Sequence, residues 1–256
     1  MLRPARALVA ALSLSLLVLA PATASATGTT TEPAQPTEPT GDPMAGAPAV
    51  GTCYQLTYDE LMAVSTPAEP VDCGARHTAQ VLDVRTFPEG LDWDSSSKRL
   101  DRTAVKACQA SFSGVVKDDP LLRARTVVQF AYFYPDVAEQ EAGARWFRCD
   151  ITLRAGEKML PLPEELSRVH RAGRITDALG RCLTKRYAYT SCAKPHRYEH
   201  SGALRVTDVR GRTAQQQLSE AAARGCPRRT RGRDWLWSAA PGPKKRTYVV
   251  VCYQRR

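Results

Sequence analysis

The chain has 256 residues, with 36 Lys+Arg against 26 Asp+Glu for a net charge of +10, and it carries eight cysteines. That length admits one large domain or two small ones, each with a modest core. Beyond the first segment no stretch is apolar enough to span a bilayer, and the charge is unevenly placed: residues 1–149 carry 13 Lys+Arg against 17 Asp+Glu, residues 150–256 carry 23 against 9. An acidic half followed by a strongly basic one points the C-terminal half toward an anionic partner.

Arg3 and Arg6 precede an apolar run from Ala7 to Ala20, and small residues follow to Ala24-Ser25-Ala26. This is the layout of a secretory signal peptide over residues 1–26, and the run is short of the ~20 residues that a comfortable membrane span needs. Residues 27–49 are Pro-, Thr- and Ala-rich with almost nothing to bury, which predicts a disordered linker. Export would place the rest of the chain in an oxidising compartment, where an even set of cysteines pairs.

An internal repeat organises the remainder. Cys73 is followed by His77 as Cys192 is by His196. Leu100, Ala104 and Cys108 stand four apart, as do Leu218, Ala222 and Cys226, and each copy closes on a β-rich run ending in a cysteine, Cys149 or Cys252. The copies are residues 50–154 and 181–256, joined by an inter-repeat linker over 155–180 in which Pro163 and Gly173 bracket a short predicted helix.

Within each copy the spacing predicts one amphipathic helix, Leu100 to Phe112 after Ser95-Ser96-Ser97, and Thr213 to Arg224. Val127–Tyr134 and Trp146–Leu153 read as a hairpin, with Trp235–Ser238 and Arg246–Gln254 as its counterpart. Gln80–Phe87 and Leu204–Val209 are further strands. The fold class expected is α+β: two tandem small disulfide-stabilised domains, each an antiparallel sheet with one packed helix.

Eight cysteines allow roughly a hundred pairings. If pairing stays within a copy and repeats, three arrangements remain, of which first with second and third with fourth is favoured: Cys53–Cys73, Cys108–Cys149, Cys182–Cys192 and Cys226–Cys252. A helix cysteine facing the sheet is well placed for a final-strand cysteine.

Metal binding by the Cys73/His77 and Cys192/His196 pairs would strand Cys53 and Cys182, so the histidines are expected to satisfy backbone groups in the turn after each cysteine, and no metal or cofactor is expected. No nucleophile elbow, zinc-protease helix or phosphate-cradling glycine pattern appears. The adjacent acids Asp92/Asp94 and Asp118/Asp119 read as turns or caps, so the protein is expected not to be an enzyme. The one surface with a specific expectation is basic. If Ser238 pairs near Arg246, the chain end brings Arg255 and Arg256 beside Arg228, Arg229, Arg231 and Arg233, next to Trp235 and Trp237. Guanidinium and indole surfaces suit phosphate or carboxylate.

At Val50-Gly51-Thr52-Cys53, Val71-Asp72-Cys73 with His77, and Trp146 to Cys149, the chain resembles the septum-formation-related domain of actinobacteria; the second copy resembles it more weakly, with Thr190-Ser191 before its cysteine. The resemblance implies an exported or membrane-anchored, linker-borne extracytoplasmic domain without established catalytic residues, linked to division-septum or envelope processes. This chain differs in carrying the domain twice and in lacking a clear membrane anchor. The function expected is therefore a secreted, envelope-associated binding or scaffolding protein. Its partner would be an anionic cell-wall polymer, a membrane surface or an envelope protein, and not nucleic acid. The alternative is a soluble ligand binder or inhibitor using the cleft between the repeats; a wall-acting hydrolase stands third.

Overall fold

A computed structural model describes residues 41–163 and 175–256. The signal peptide, most of the N-terminal linker and the helix expected after Pro163 lie outside the described residues. The first half runs β1 (Cys53–Tyr54), α1 (Tyr58–Met62), β2 (Pro70–Val71), β3 (Ala79–Thr86), α2 (Ser97–Val115), α3 (Pro120–Ala124), β4 (Val128–Phe133), α4 (Val137–Glu141), β5 (Trp146–Ala155) and β6 (Lys158–Leu160). The second runs β7 (Arg181–Leu183), β8 (Tyr189–Ser191), β9 (Tyr198–Val206), α5 (Ala214–Gly225), β10 (Trp235–Pro241) and β11 (Tyr248–Arg255).

Both sheets are antiparallel and share one strand order. The first is β2-β1-β3-β5-β4 with β6 added to β5, and the second, read from its other end, is β8-β7-β9-β11-β10. The disulfides occupy matching places: Cys53–Cys73 and Cys182–Cys192 tie the first strand to the end of the second, while Cys108–Cys149 and Cys226–Cys252 tie the helix to the long central strand. The helix stripe expected from the sequence is the buried one: Leu100, Ala104, Cys108 and Phe112 in α2, and Leu218 and Ala222 in α5, joined by Ala221.

The first half has three short helices besides α2, each set by its cap. Thr57 and Glu60 form a capping box on α1, Asp136 and Glu139 form another on α4, and Asp119 with Pro120 opens α3. Apolar periodicity cannot register a five-residue helix.

Three other expectations need correction. The linker expected to be disordered through residue 49 is partly ordered, because its carbonyls satisfy donors on the first sheet: Arg145 N–H donates to Pro43 O at 2.9 Å and the Trp146 indole N–H to Ala45 O at 2.8 Å. The inter-repeat segment is not merely a linker at its ends. β6 pairs with β5, and Leu179 is buried among Phe112, Val116, Val127 and Ile151. Finally, Ser238 pairs with Val251, not near Arg246; β10 runs on to Pro241 opposite Tyr248.

The two halves do not stand apart. The described residues fall in one compact unit. Leu121 and Ala124 of the first half pack against Leu183, Val249, Val251 and Tyr253 on the face of the second sheet opposite α5, while Arg181 N–H donates to Arg125 O.

Each disulfide closes a loop of 10 to 41 residues, which corresponds to about 3 to 4 kcal/mol in the chain-entropy account. Cys108→Ala/Cys149→Ala is expected to cost about 4 kcal/mol, plus packing, whereas Cys182→Ala/Cys192→Ala should cost about 1 kcal/mol less. Urea unfolding of the two double variants checks the order, and equal midpoints would contradict it.

Candidate functional site

Strand β5 is buried on both faces. Its alternation sends Phe147, Cys149, Ile151 and Leu153 into the cores under α2, and Trp146, Arg148, Asp150 and Thr152 to the opposite face. Arg148 is only 4 % exposed and Asp150 is 0 % exposed. The Arg148 guanidinium carbon lies 4.0 Å from the Tyr54 ring centroid and 4.7 Å from that of Phe133, so aromatic rings flank the cation. Arg148 Nε stands 3.4 Å from Asp150 Oδ1 without hydrogen-bond alignment. Arg148 Nε and Nη2, both Asp150 oxygens and Thr152 Oγ1 are buried with no hydrogen-bond partner among the described residues. Burial pushes the Asp150 carboxyl up to about 6, with Arg148 opposing the rise.

Arg148 lines a cleft of about 370 Å³, with Tyr54, Phe133 and Trp146 beside it and Glu69, Asp136 and Glu139 among its other lining groups. The Ser65–Pro70 wall belongs to the loop that Cys53–Cys73 closes. Asp136 and Glu139 are held by their capping box, whereas Glu69 is exposed.

Sequence reasoning missed this pair. The signal was available in the spacing: aligning Cys149 with Cys252 sets Arg148 and Asp150 against Val251 and Tyr253, which are buried and uncharged.

The predicted basic residues are brought together only in part. Arg231 N–H donates to Gln254 Oε1 at 3.1 Å and Arg255 N–H to Asp234 O at 3.2 Å, so the chain end does lie beside residues 231–234. Arg228, Arg231 and Arg233 are exposed, with no carboxylate within ion-pair distance among the described residues. Arg255 is paired with Asp234 at 2.9 Å, and Arg256 Nη1 sits 3.3 Å from His196 Nε2. Arg229 is committed to the fold: its stem crosses Gly202, and it donates to Ala203 O and Gly225 O. Trp235 and Trp237 are half-buried against the core around Cys226–Cys252. Arg246 lies at the hairpin tip, separated from the chain end by the length of β11, roughly 25 Å.

His77 Nδ1 and His196 Nδ1 meet Ala75 O at 2.9 Å and Lys194 O at 2.8 Å, matching roles in matching turns. Three of the four acids named in the sequence have local work: Asp92 Oδ1 accepts from Ser95 Oγ, Asp119 caps α3, and Asp118 pairs with Arg123 at 3.3 Å. A second cleft, about 400 Å³, lies between the halves, lined by Arg123, Phe130, Arg181 and Pro241 among others. Its Arg123 is engaged by Ser113 Oγ and Val116 O.

The family model described as "Septum formation" matches residues 51–238, nearly three-quarters of the chain and a single span through both halves. The chain belongs to the septum formation family. No curated protein and no solved structure matches it. Membership of the septum formation family agrees with the four disulfides, which mark an oxidising environment. No helix among the described residues is long and apolar enough to cross a membrane.

One buried and one half-buried group titrate in opposite senses. Asp150 is raised to about 6, so the native state holds its proton more tightly than the unfolded chain and gains stability as pH falls from above 6 toward 4. His200 is lowered to about 4, chiefly by desolvation and then by Arg125, so the native state loses stability as pH falls from 6.5 toward 4. Between pH 7 and 4 the wild type should therefore gain on Asp150→Asn and lose to His200→Gln, each by on the order of 2 to 3 kcal/mol. Denaturant midpoints across that range check this, and parallel profiles for all three proteins would contradict it.

Proposed function

We propose that this protein is a non-enzymatic, extracytoplasmic binding or scaffolding component of the cell envelope, with a role connected to septum formation. Family membership supports the process, and the four disulfides support the compartment. The observation that carries the binding role is the exposed group Arg228, Arg231 and Arg233 beside the chain end, within a segment, 175–256, holding 18 Lys+Arg against 5 Asp+Glu. Outside a cell the matching partners are anionic wall polymers and lipid headgroups, which such a surface meets electrostatically.

Retention on isolated envelopes should fall when salt rises from about 0.05 to 0.5 M, since exposed charges are screened beyond roughly 10 Å at 0.1 M. Arg228→Gln/Arg231→Gln/Arg233→Gln should release at lower salt than the wild type, while keeping its urea midpoint. Retention indifferent to both salt and the triple change would remove the electrostatic mechanism.

A second reading is favoured by the cleft of about 400 Å³ between the halves. It makes the protein a freely secreted ligand binder. Recovery in the medium, with nothing on envelopes even at low salt, would favour it.

A further inference from the structure

The duplicated topology supplies an internal comparison for the first sheet's second face. At the same register in the second half the chain uses Val251 and Tyr253 and covers them with Leu121 and Ala124. Apolar residues at these places are therefore compatible with this strand order, this helix and this disulfide. A buried ion pair offers no stability advantage over apolar residues of similar volume, because desolvation offsets the attraction. The first half nevertheless buries Arg148 and Asp150, leaves Arg148 Nε and Nη2 and both Asp150 oxygens without hydrogen-bond partners, and puts Arg148 against a cleft. Packing does not account for that choice. A ligand does.

The cleft's own chemistry narrows the class. With its faces against Tyr54 and Phe133, the guanidinium can be read only through its edge nitrogens, which suits a planar carboxylate. Asp150 compensates part of its charge, and Glu69, Asp136 and Glu139 add negative charge around the cleft. That field opposes a polyanion and favours a ligand that brings its own cation. The volume of about 370 Å³ lies at the small end of ligand pockets.

We infer that this cleft binds a short peptide with free termini, its carboxylate on the Arg148 guanidinium and its ammonium toward the exposed Glu69. The assignment is independent of the basic surface, which lies in the other half. In the second half only ten residues separate Cys182 from Cys192 where twenty separate Cys53 from Cys73, so the disulfide-closed loop there is too short to build a comparable wall.

The test uses the disulfide-bonded protein, titrated by NMR and calorimetry with alanyl-alanine, its C-terminal amide, its N-acetyl form and inorganic phosphate. Alanyl-alanine should bind saturably and shift residues of the cleft. The amide should bind about tenfold more weakly or worse, as for loss of a charge-assisted hydrogen bond, and the N-acetyl form severalfold more weakly. Arg148→Met alone strands the Asp150 charge and destabilises the fold, so the informative variant is Arg148→Met/Asp150→Leu, which gives an apolar face. It should stay folded and lose binding. Glu69→Gln, an exposed change, should keep carboxylate binding and lose the preference for a free amine. Absence of saturable binding at millimolar alanyl-alanine, equal binding of acid and amide, phosphate binding as tight as the dipeptide, or undiminished binding by the folded double variant would each overturn the inference. Envelope retention is read separately through the arginine variants, so failure here leaves the basic-surface reading standing.

Discussion

One constraint shapes both halves: a helix cysteine is bonded to the central strand of the sheet it covers. Cys108–Cys149 and Cys226–Cys252 fix which face of each sheet lies under the helix and hold the two layers in register. Halves of this size have little apolar surface to offset chain entropy, so the crosslinks supply what a thin core does not. Once the helix face is fixed, each sheet has a second face to dispose of. The two halves dispose of it differently.

The second sheet's other face is apolar, and α3 of the first half covers it. That contact, with the backbone bonds around Arg125 and Leu179, makes one body of the two halves. The first sheet's other face carries Arg148 and Asp150, roofed by residues 43–70, whose path is set by Cys53–Cys73 and by donors from Arg145 and Trp146. Two halves of the same strand order thus differ, one with an apolar, packed face and the other with a polar, cleft-forming one. The pair sits next to Cys149 in sequence, so the crosslink that secures the core also fixes where the charges are held.

What the sequence disclosed follows from which signals are local or periodic. The four-residue spacing of Leu100, Ala104, Cys108 and Phe112 marks the buried face of α2, and the repeated cysteine spacing led to the four bonds present. The short helices were announced only by caps such as Thr57/Glu60, which lie outside any apolar period. The hairpin register differs from the expected one because β10 does not stop at Ser238: it runs on through Pro241, which is tolerated on an edge strand, and adds three residue pairs. Arg229 and the two tryptophans looked like ligand groups, but whether a long side chain reaches solvent or its own backbone depends on tertiary neighbours such as Gly202. Arg148 and Asp150 were overlooked because charges beside a cysteine usually mean an exposed strand face. Only the covering segment, remote in sequence, buries them.

Family membership and the four disulfides point to a septum-related protein in an oxidising environment, and the two halves present different surfaces. That difference depends on the helix-to-strand crosslinks. The most direct measurement is thiol titration of the purified native protein combined with nonreducing peptide mapping. The account predicts no reactive sulfhydryl, with peptides joining Cys108 to Cys149 and Cys226 to Cys252. Reactive thiols, or a peptide joining Cys73 to Cys108, would contradict it.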